Sequence, residues 1–417
     1  MNADSEQITA DKNLIIDQDQ PLGDKGLQSS LLIALGESNC KISYLSDRKW
    51  VLEYQTEFKK FHLLVRSCTY LGNPHPIYKK RIQLPLWFNQ YCNDLQKTSP
   101  DIEVRFIGVY NYQHDFYGQN IIFIDFDKTK YLLKKGHNSS AHVYTNDLFQ
   151  AMNYGIFRKE DKSGNIITTI RFDQFKNYID GKNKNFGNEL FDLFSRFNYG
   201  FTFGQWLNAI DAIKEMHQNN WHQWKQAEWA GWFLEYRFNK FTTEEHLTNK
   251  MRYVGTSLKR NVDLDFDIRF DEAGFYGDLK ASDINKREAP GNDQKNFIEC
   301  IRRYDKFWYV IYEHETIKDS ADSEYSATIA RNTFIKQIDP SYKKGPLSYR
   351  NRMKSKVRFV KMTIIELNRM NYREVLKTFN QGHQADGSSR NPKFSINKSV
   401  LNNDNYVVFR YSFKEDA

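Results

Sequence analysis

The chain has 417 residues, 40% of them hydrophobic and 15% aromatic, which is ample for two or three packed domains and excludes a disordered chain. Its net charge of +8 is unevenly spread: residues 1–24 hold six acids against one lysine, while residues 341–417 hold sixteen Lys and Arg against six acids. Four scattered cysteines (Cys40, Cys68, Cys92 and Cys300) without metal-ligand spacing argue against a structural zinc or disulfide framework, and no apolar run reaches membrane-spanning length, so a soluble cytoplasmic protein that binds a polyanion is expected.

Residues 1–25 read as a disordered acidic leader. Residues 26–200 read as an α+β region. Residues 31–35 are apolar, and 81–84 form a short strand stopped by Pro85. Residues 104–110 pair with 120–125 across a turn containing Gly118 and Gln119. Polar tips at 134–142 and 157–165, and the Asn/Lys/Gly-rich stretch 180–188, are exposed loops of the kind that carry base or phosphate contacts. This region is the expected DNA-recognition part. His137 and His142 share one loop and lack the ββα–metal surroundings of a His–Asn–His nuclease, so they are read as loop residues.

Residues 201–345 concentrate the chemistry. Residues 221–240 lack proline and are rich in bulky apolar side chains, which predicts a helix buried nearly all round. Glu228 and Glu235 fall on one side of it with Trp221, Trp224 and Trp232. A carboxylate held there is costly unless it is paired, hydrogen-bonded or metal-linked. Glu235, further along toward the next element, is preferred, with Glu228 as the alternative; ion pairs with Lys225, Arg237 or Lys240 would account for either.

Residues 261–282 then place Asp263, Asp265 and Asp267 on one face of a strand-like run, opposite Leu264, Phe266, Ile268 and Phe270. A turn at Asp271–Gly274 leads to a second strand with Asp278 and Lys280 on one face. Acid-x-Lys also occurs at Asp47–Lys49, Glu57–Lys59, Glu160–Lys162, Asp180–Lys182 and Asp293–Lys295. Only the copy ending at Lys280 has an acid-bearing strand before it and a turn between. A solvated Asp–Lys hairpin is the alternative, but three acids on one strand face are poor sheet chemistry without a cation. Downstream, 289–292 reads as a turn, 293–305 as a helix with Phe297, Ile298, Ile301 and Tyr304 inward, and 307–312 as a buried strand.

In these residues the chain resembles the PD-(D/E)xK nucleases, and as a whole a type II restriction endonuclease of that superfamily. The likeness covers about residues 221–315. It implies an α+β/α/β nuclease core, a mixed sheet flanked by helices, with the N-terminal region added to it. Asp278 and Lys280 match the acid-x-Lys. Asp265 is taken as the first acid, with Asp267 and Asp263 still open because no proline marks the position. The resemblance further implies that Asp265, Asp278, the Leu279 carbonyl and Glu235 hold Mg²⁺, that Lys280 positions the water, and that double-stranded DNA is cut at a specific sequence to 5′-phosphate ends. A homodimer and a separately encoded cognate DNA methyltransferase are the partners it implies. A modification-dependent or repair-type nuclease, or a non-catalytic DNA-binding protein of the same fold, are the alternatives.

Residues 346–417 read as a basic segment packed on that core, with strands at 357–365 and 406–412 bracketing a polar loop at 380–391. Arg352, Lys354 and Arg358 are expected on DNA phosphates, and Arg390, in the loop, on DNA in a groove. No Walker-type or methyltransferase-type glycine motif is present.

Overall fold

Alternating apolar residues in the first 189 positions build a seven-stranded sheet between two helical layers. The structure is a computed structural model that describes residues 4–112, 120–126, 138–182, 189–201, 203–247, 249–255, 264–319, 326–343, 353–379 and 391–413. The chain divides into two compact units, Met1–Glu189 and Leu190–Ala417.

The first unit opens with the hairpin β1 (Asp4–Ile8) and β2 (Leu14–Gln18), then α1 (Asp24–Leu35). β3 (Cys40–Ser46), β4 (Lys49–Gln55) and β5 (Lys60–Ser67) form a meander. β6 (Thr69–Tyr70), β7 (Lys79–Leu84) and α2 (Leu86–Thr98) follow. β8 (Glu103–Asn111) runs parallel to β5, and β9 (Ile121–Phe126) pairs back onto it, as the sequence predicts. β10 (Ser139–Tyr144), α3 (Thr145–Tyr154), β11 (Ile156–Glu160), β12 (Ile166–Arg171) and α4 (Phe175–Ile179) complete the unit. The main sheet has the order β11-β12-β9-β8-β5-β4-β3. One face packs Trp50, Leu52, Leu63 and Ile107 against Leu27, Leu31, Phe175 and Ile179 of α1 and α4. The other packs Leu64, Phe106 and Ile124 against Phe88 of α2 and Leu148 of α3.

Two expectations fail in this unit. The first residues are not a solvated acidic leader. Ile8 is fully buried, and Asp19 is tied to Lys80, whose Nζ lies 2.8 Å from Asp19 Oδ2 and 2.9 Å from Ser5 Oγ. Composition missed this because one interior cation outweighs the segment's average charge. His142 is not a loop residue but lies on β10, opposite Arg81. His137, Gly118 and Gln119 lie outside the described residues.

The second unit is built on α5 (Glu189–Gly200), β13 (Trp206–Asn208), α6 (Ala209–Gln218), α7 (Trp229–Glu244), β14 (Arg252–Tyr253), β15 (Ile268–Phe270), β16 (Phe275–Asp283), β17 (Glu288–Asp293), α8 (Gln294–Tyr304), β18 (Phe307–Lys318), α9 (Ala327–Ile338), β19 (Lys354–Leu367), β20 (Leu376–Phe379), β21 (Lys393–Asn397) and β22 (Val407–Ser412). Its sheet runs β13-β19-β18-β16-β15-β14, with β22 also on β19. β16 is antiparallel to β15 and parallel to β18, and α8 lies in the crossover between them. β18 is apolar from Phe307 to Tyr312 because both faces are covered there. Phe307, Tyr309 and Ile311 meet Phe297 and Ile301 of α8. Trp308 stacks on Phe191, and Tyr312 meets the ring of Phe197.

The helix expected over 221–240 starts only at Trp229, because the chain turns through 222–225 after Asn220 adopts a positive φ of 54°. The turn expected at 289–292 lies within β17, where a bulge accommodates Pro290. Gly291 is required there, since a Cβ would lie 2.7 Å from the Phe394 carbonyl oxygen. Ile298, expected inward on α8, is exposed. The 346–417 segment is not an appendage either: β19 is paired to β18 along nearly its whole length.

Candidate active site

The turn at Asp271–Gly274 sets the site. Its Gly274 has φ +75° and its amide donates to the Phe270 carbonyl at 2.8 Å. The pairing that follows is Phe270 with Phe275, Arg269 with Tyr276 and Ile268 with Gly277. The next step back brings Asp267 beside Asp278. A side chain at 277 would stand in the way, because a Cβ there would lie 2.9 Å from both the Phe270 ring and the Trp308 carbonyl oxygen.

Asp267 and Asp278 are locked together through backbone. The Asp267 amide donates to Asp278 Oδ1 at 3.1 Å, and the Leu279 amide donates to Asp267 Oδ2 at 3.0 Å. The N–H and C=O of one strand residue point the same way, so the Leu279 carbonyl is directed to this side as well. Lys280 Nζ makes an ion pair with Asp278 Oδ2. Asp278 itself is buried, at 1% exposure.

The third carboxylate is Glu235, on α7. Its Oε2 accepts a hydrogen bond from the Tyr253 hydroxyl at 2.6 Å, and its charge is felt by both Asp278 and Lys280. Tyr253 is held by the ring of Trp221, 5.5 Å away. Gly255 passes so close to the Tyr253 hydroxyl that no side chain fits at 255.

Electrostatics follow from three acids sharing one ammonium in a poorly solvated place. Burial pushes Glu235 up to about 7, against the pull of the Tyr253 hydrogen bond and Lys280. Asp267 is raised well above the usual carboxylate range, by burial first and then by Asp278 and Glu235. Lys280 is raised despite burial, because Asp278 and Asp267 hold it charged.

The structure therefore brings Glu235, Asp267, Asp278, Leu279 and Lys280 together, and leaves Asp265 out. Asp265 is exposed, and its carbonyl receives the Asn296 side chain at 3.0 Å. It would face Lys280 only if the hairpin pairing ran on beyond Ile268, which it does not. Asp263 lies outside the described residues. Glu228 precedes the first turn of α7, exposed, with Lys354 Nζ at 3.4 Å. Tyr253 was missed by sequence reasoning, and nothing local to it marks a partner 18 residues upstream. Asp267 was legible: counting back from the turn places it opposite Asp278.

Two of the expected DNA contacts, Lys354 and Arg358, lie on β19. Lys354 is half-buried on β19, between Glu228 and His314. Arg358 is paired with Glu315, its Nε 2.8 Å from Oε2, and lies over Trp206. Arg352 and Arg390 lie outside the described residues.

A family model described as methylase-associated X1 matches residues 59–179. The matched segment runs from the end of the β4–β5 hairpin to α4, and so covers most of the first unit's sheet. Its description suggests a restriction–modification context. No curated protein and no solved structure matches the chain. Among the described residues, no helix is long and apolar enough to cross a membrane.

Among the described residues, no three of Asp, Glu, His and Cys are already closed around one point. Asp278 Oδ2 is paired with the Lys280 ammonium, and Glu235 Oε2 with the Tyr253 hydroxyl. The donor set nonetheless suits a hard divalent cation, being all oxygen and short of positive charge. Asp267, Asp278 and the Leu279 carbonyl would hold it directly, with Glu235 behind.

Proposed function

We propose that the second unit is a Mg²⁺-dependent DNA endonuclease with a PD-(D/E)xK-type core, acting within a restriction–modification system. The observation that carries this is the register-locked pair Asp267 and Asp278 with Lys280 and Glu235 beside it. Support comes also from the crossover α8 between the parallel strands β16 and β18, and from the methylase-associated match in the first unit.

Bound Mg²⁺ supplies charge neutralisation at the scissile phosphate and lowers the pKa of water. The protein's own groups divide the remaining work. Lys280, kept charged by two carboxylates, donates a hydrogen bond that orients the attacking water or a phosphate oxygen, and is not the base. Glu235, pushed up to about 7, is placed to take a proton near neutrality while Tyr253 steadies it. Water oxygen bonds to phosphorus, the 3′-oxygen leaves and is protonated, and a 5′-phosphate end remains. A homodimer, a specific recognition sequence and a separate methyltransferase belong to the same proposal.

The test is incubation of the full chain with unmodified phage DNA and Mg²⁺, followed by mapping of the ends. Discrete fragments with 5′-phosphates, lost in Asp278→Asn and Lys280→Ala, are expected. Cutting of methylated plasmid alone would make it a modification-dependent nuclease. DNA binding without cleavage under any methylation state would make it a binding protein.

A further inference from the structure

The first unit holds a cavity of about 640 Å³, and most of its lining falls within the methylase-associated segment. At its rim stands Phe58, at the tip of the β4–β5 hairpin. The tip is closed by the Thr56 amide donating to the Lys59 carbonyl at 2.9 Å. Phe58 is 93% exposed, a whole aromatic ring in water beside a concave surface. Phe61 and Tyr178 supply further aromatic wall.

Asp125, on β9, also lines the cavity and is 6% exposed. Its Oδ2 accepts from Arg105 Nη1 at 2.5 Å and from the Tyr178 hydroxyl at 2.6 Å. Both contacts fall on Oδ2, and Oδ1 takes neither of them. Arg105 cannot swing away, being held by Glu103 and flanked by the rings of Phe61 and Tyr178. Lys59, paired with Glu103, and Arg158 also line the cavity, as does the carboxylate of Asp180.

A stacking ring at the rim and a carboxylate acceptor inside are complementary to a nucleobase. The carboxylate narrows the class. Adenine, cytosine and guanine carry an exocyclic amine that donates to it, whereas thymine presents the O4 acceptor at the corresponding place and is repelled. We propose that this cavity takes an unpaired nucleobase bearing an exocyclic amino group, stacked on Phe58 and donating to Asp125. It would let this unit inspect a base directly. The inference does not depend on cleavage by the second unit.

The experiment uses the full chain without divalent cations, so that cleavage plays no part, and single-stranded 12-nucleotide oligomers of dA, dC and dT as probes. The dA and dC oligomers should bind roughly tenfold more tightly than dT, the scale of one hydrogen bond to a charged group. Asp125→Asn should close that gap. Phe58→Ala touches no core contact and should weaken dA binding roughly tenfold, the scale of one lost stacking platform. It should also remove the quenching of a 2-aminopurine placed within the dA oligomer. Equal affinity of the wild-type chain for all three oligomers would overturn the base preference. Unchanged dA binding and unchanged quenching in Phe58→Ala would overturn the site, whether or not Asp125→Asn folds.

Discussion

Asp267 and Asp278 each anchor the other's surroundings: the backbone amide of Asp267 holds the Asp278 carboxylate, and the amide after Asp278 holds the carboxylate of Asp267. Neither side chain can rotate without breaking a bond that fixes its neighbour. The two acids are pre-organised by the hairpin and not by the ligand they would share.

The first prediction separates Asp267 from Asp265. Asp267→Asn should lower cleavage by about 10²–10³-fold or more, the scale of losing one oriented charge-stabilising group. Asp265→Asn, on the exposed side, should leave the rate within about threefold, well under the 1.4 kcal/mol that a tenfold change represents. Cleavage rates on one plasmid substrate decide it, and the reverse order would return the role to Asp265.

A second concerns pH and stability. Glu235 titrates near 4.5 when unfolded and at about 7 when folded, so the folded protein holds more protons between those values. Its stabilising effect is complete below about pH 4.5 and is lost as pH rises through about 7, and Asp267 acts in the same sense. Metal-free protein should therefore melt at a lower temperature at pH 8 than at pH 5. Glu235→Gln should recover part of the difference, at most on the order of 3 kcal/mol. A melting temperature that climbs across this interval, with the variant no different, would contradict the crowding of acids described above.

Tyr253→Phe provides a third. The hydroxyl pulls the Glu235 pKa down, so its loss should move Glu235 further up. The acidic limb of the cleavage-rate profile should shift alkaline by about one pH unit, the scale of one hydrogen bond to a charged group, with the plateau rate nearly kept. An unmoved limb would take Glu235 out of the proton transfer.

The buried pair in the first unit gives a fourth. Lys80→Ala strands Asp19 without its ammonium and should cost about 3–5 kcal/mol. Replacing Asp19 and Lys80 together with apolar residues of similar size should cost much less. Denaturant titration of the two variants measures the difference.

Much of the second unit was legible in the sequence because its signals are local. The Asp271–Gly274 turn, the alternation through Phe270 and the unbroken apolar run at β18 each depend on neighbours a few residues away. Asp265 was preferred to Asp267 because alternation alone gives the face of a residue and not its partner. Only the register, counted from the turn, distinguishes Asp267 from Asp265. The start of α7 and the buried Lys80–Asp19 pair were missed for the complementary reason, since each depends on the three-dimensional path of the chain around residues distant in sequence. Within the basic stretch 352–358, Lys354 pairs with Glu228 and Arg358 with Glu315, partners that charge density along the sequence does not reveal.

The position of β19 within its sheet has a bearing on how the protein is made. Every group of the acid cluster has been synthesised by residue 280, yet the strand that flanks β18 is encoded at 354–367, and among the described residues β13 pairs with that strand alone. A nascent chain carrying all five groups is thus still without the framework that aligns them, while the first unit is already complete and free to fold, since domains form in order of synthesis. Assembly of the cluster is deferred until almost the whole chain has left the ribosome. On the proposed DNA-cleaving function that delay would keep partial translation products harmless, and a chain cut short after residue 345 should retain a folded first unit with no organised second one.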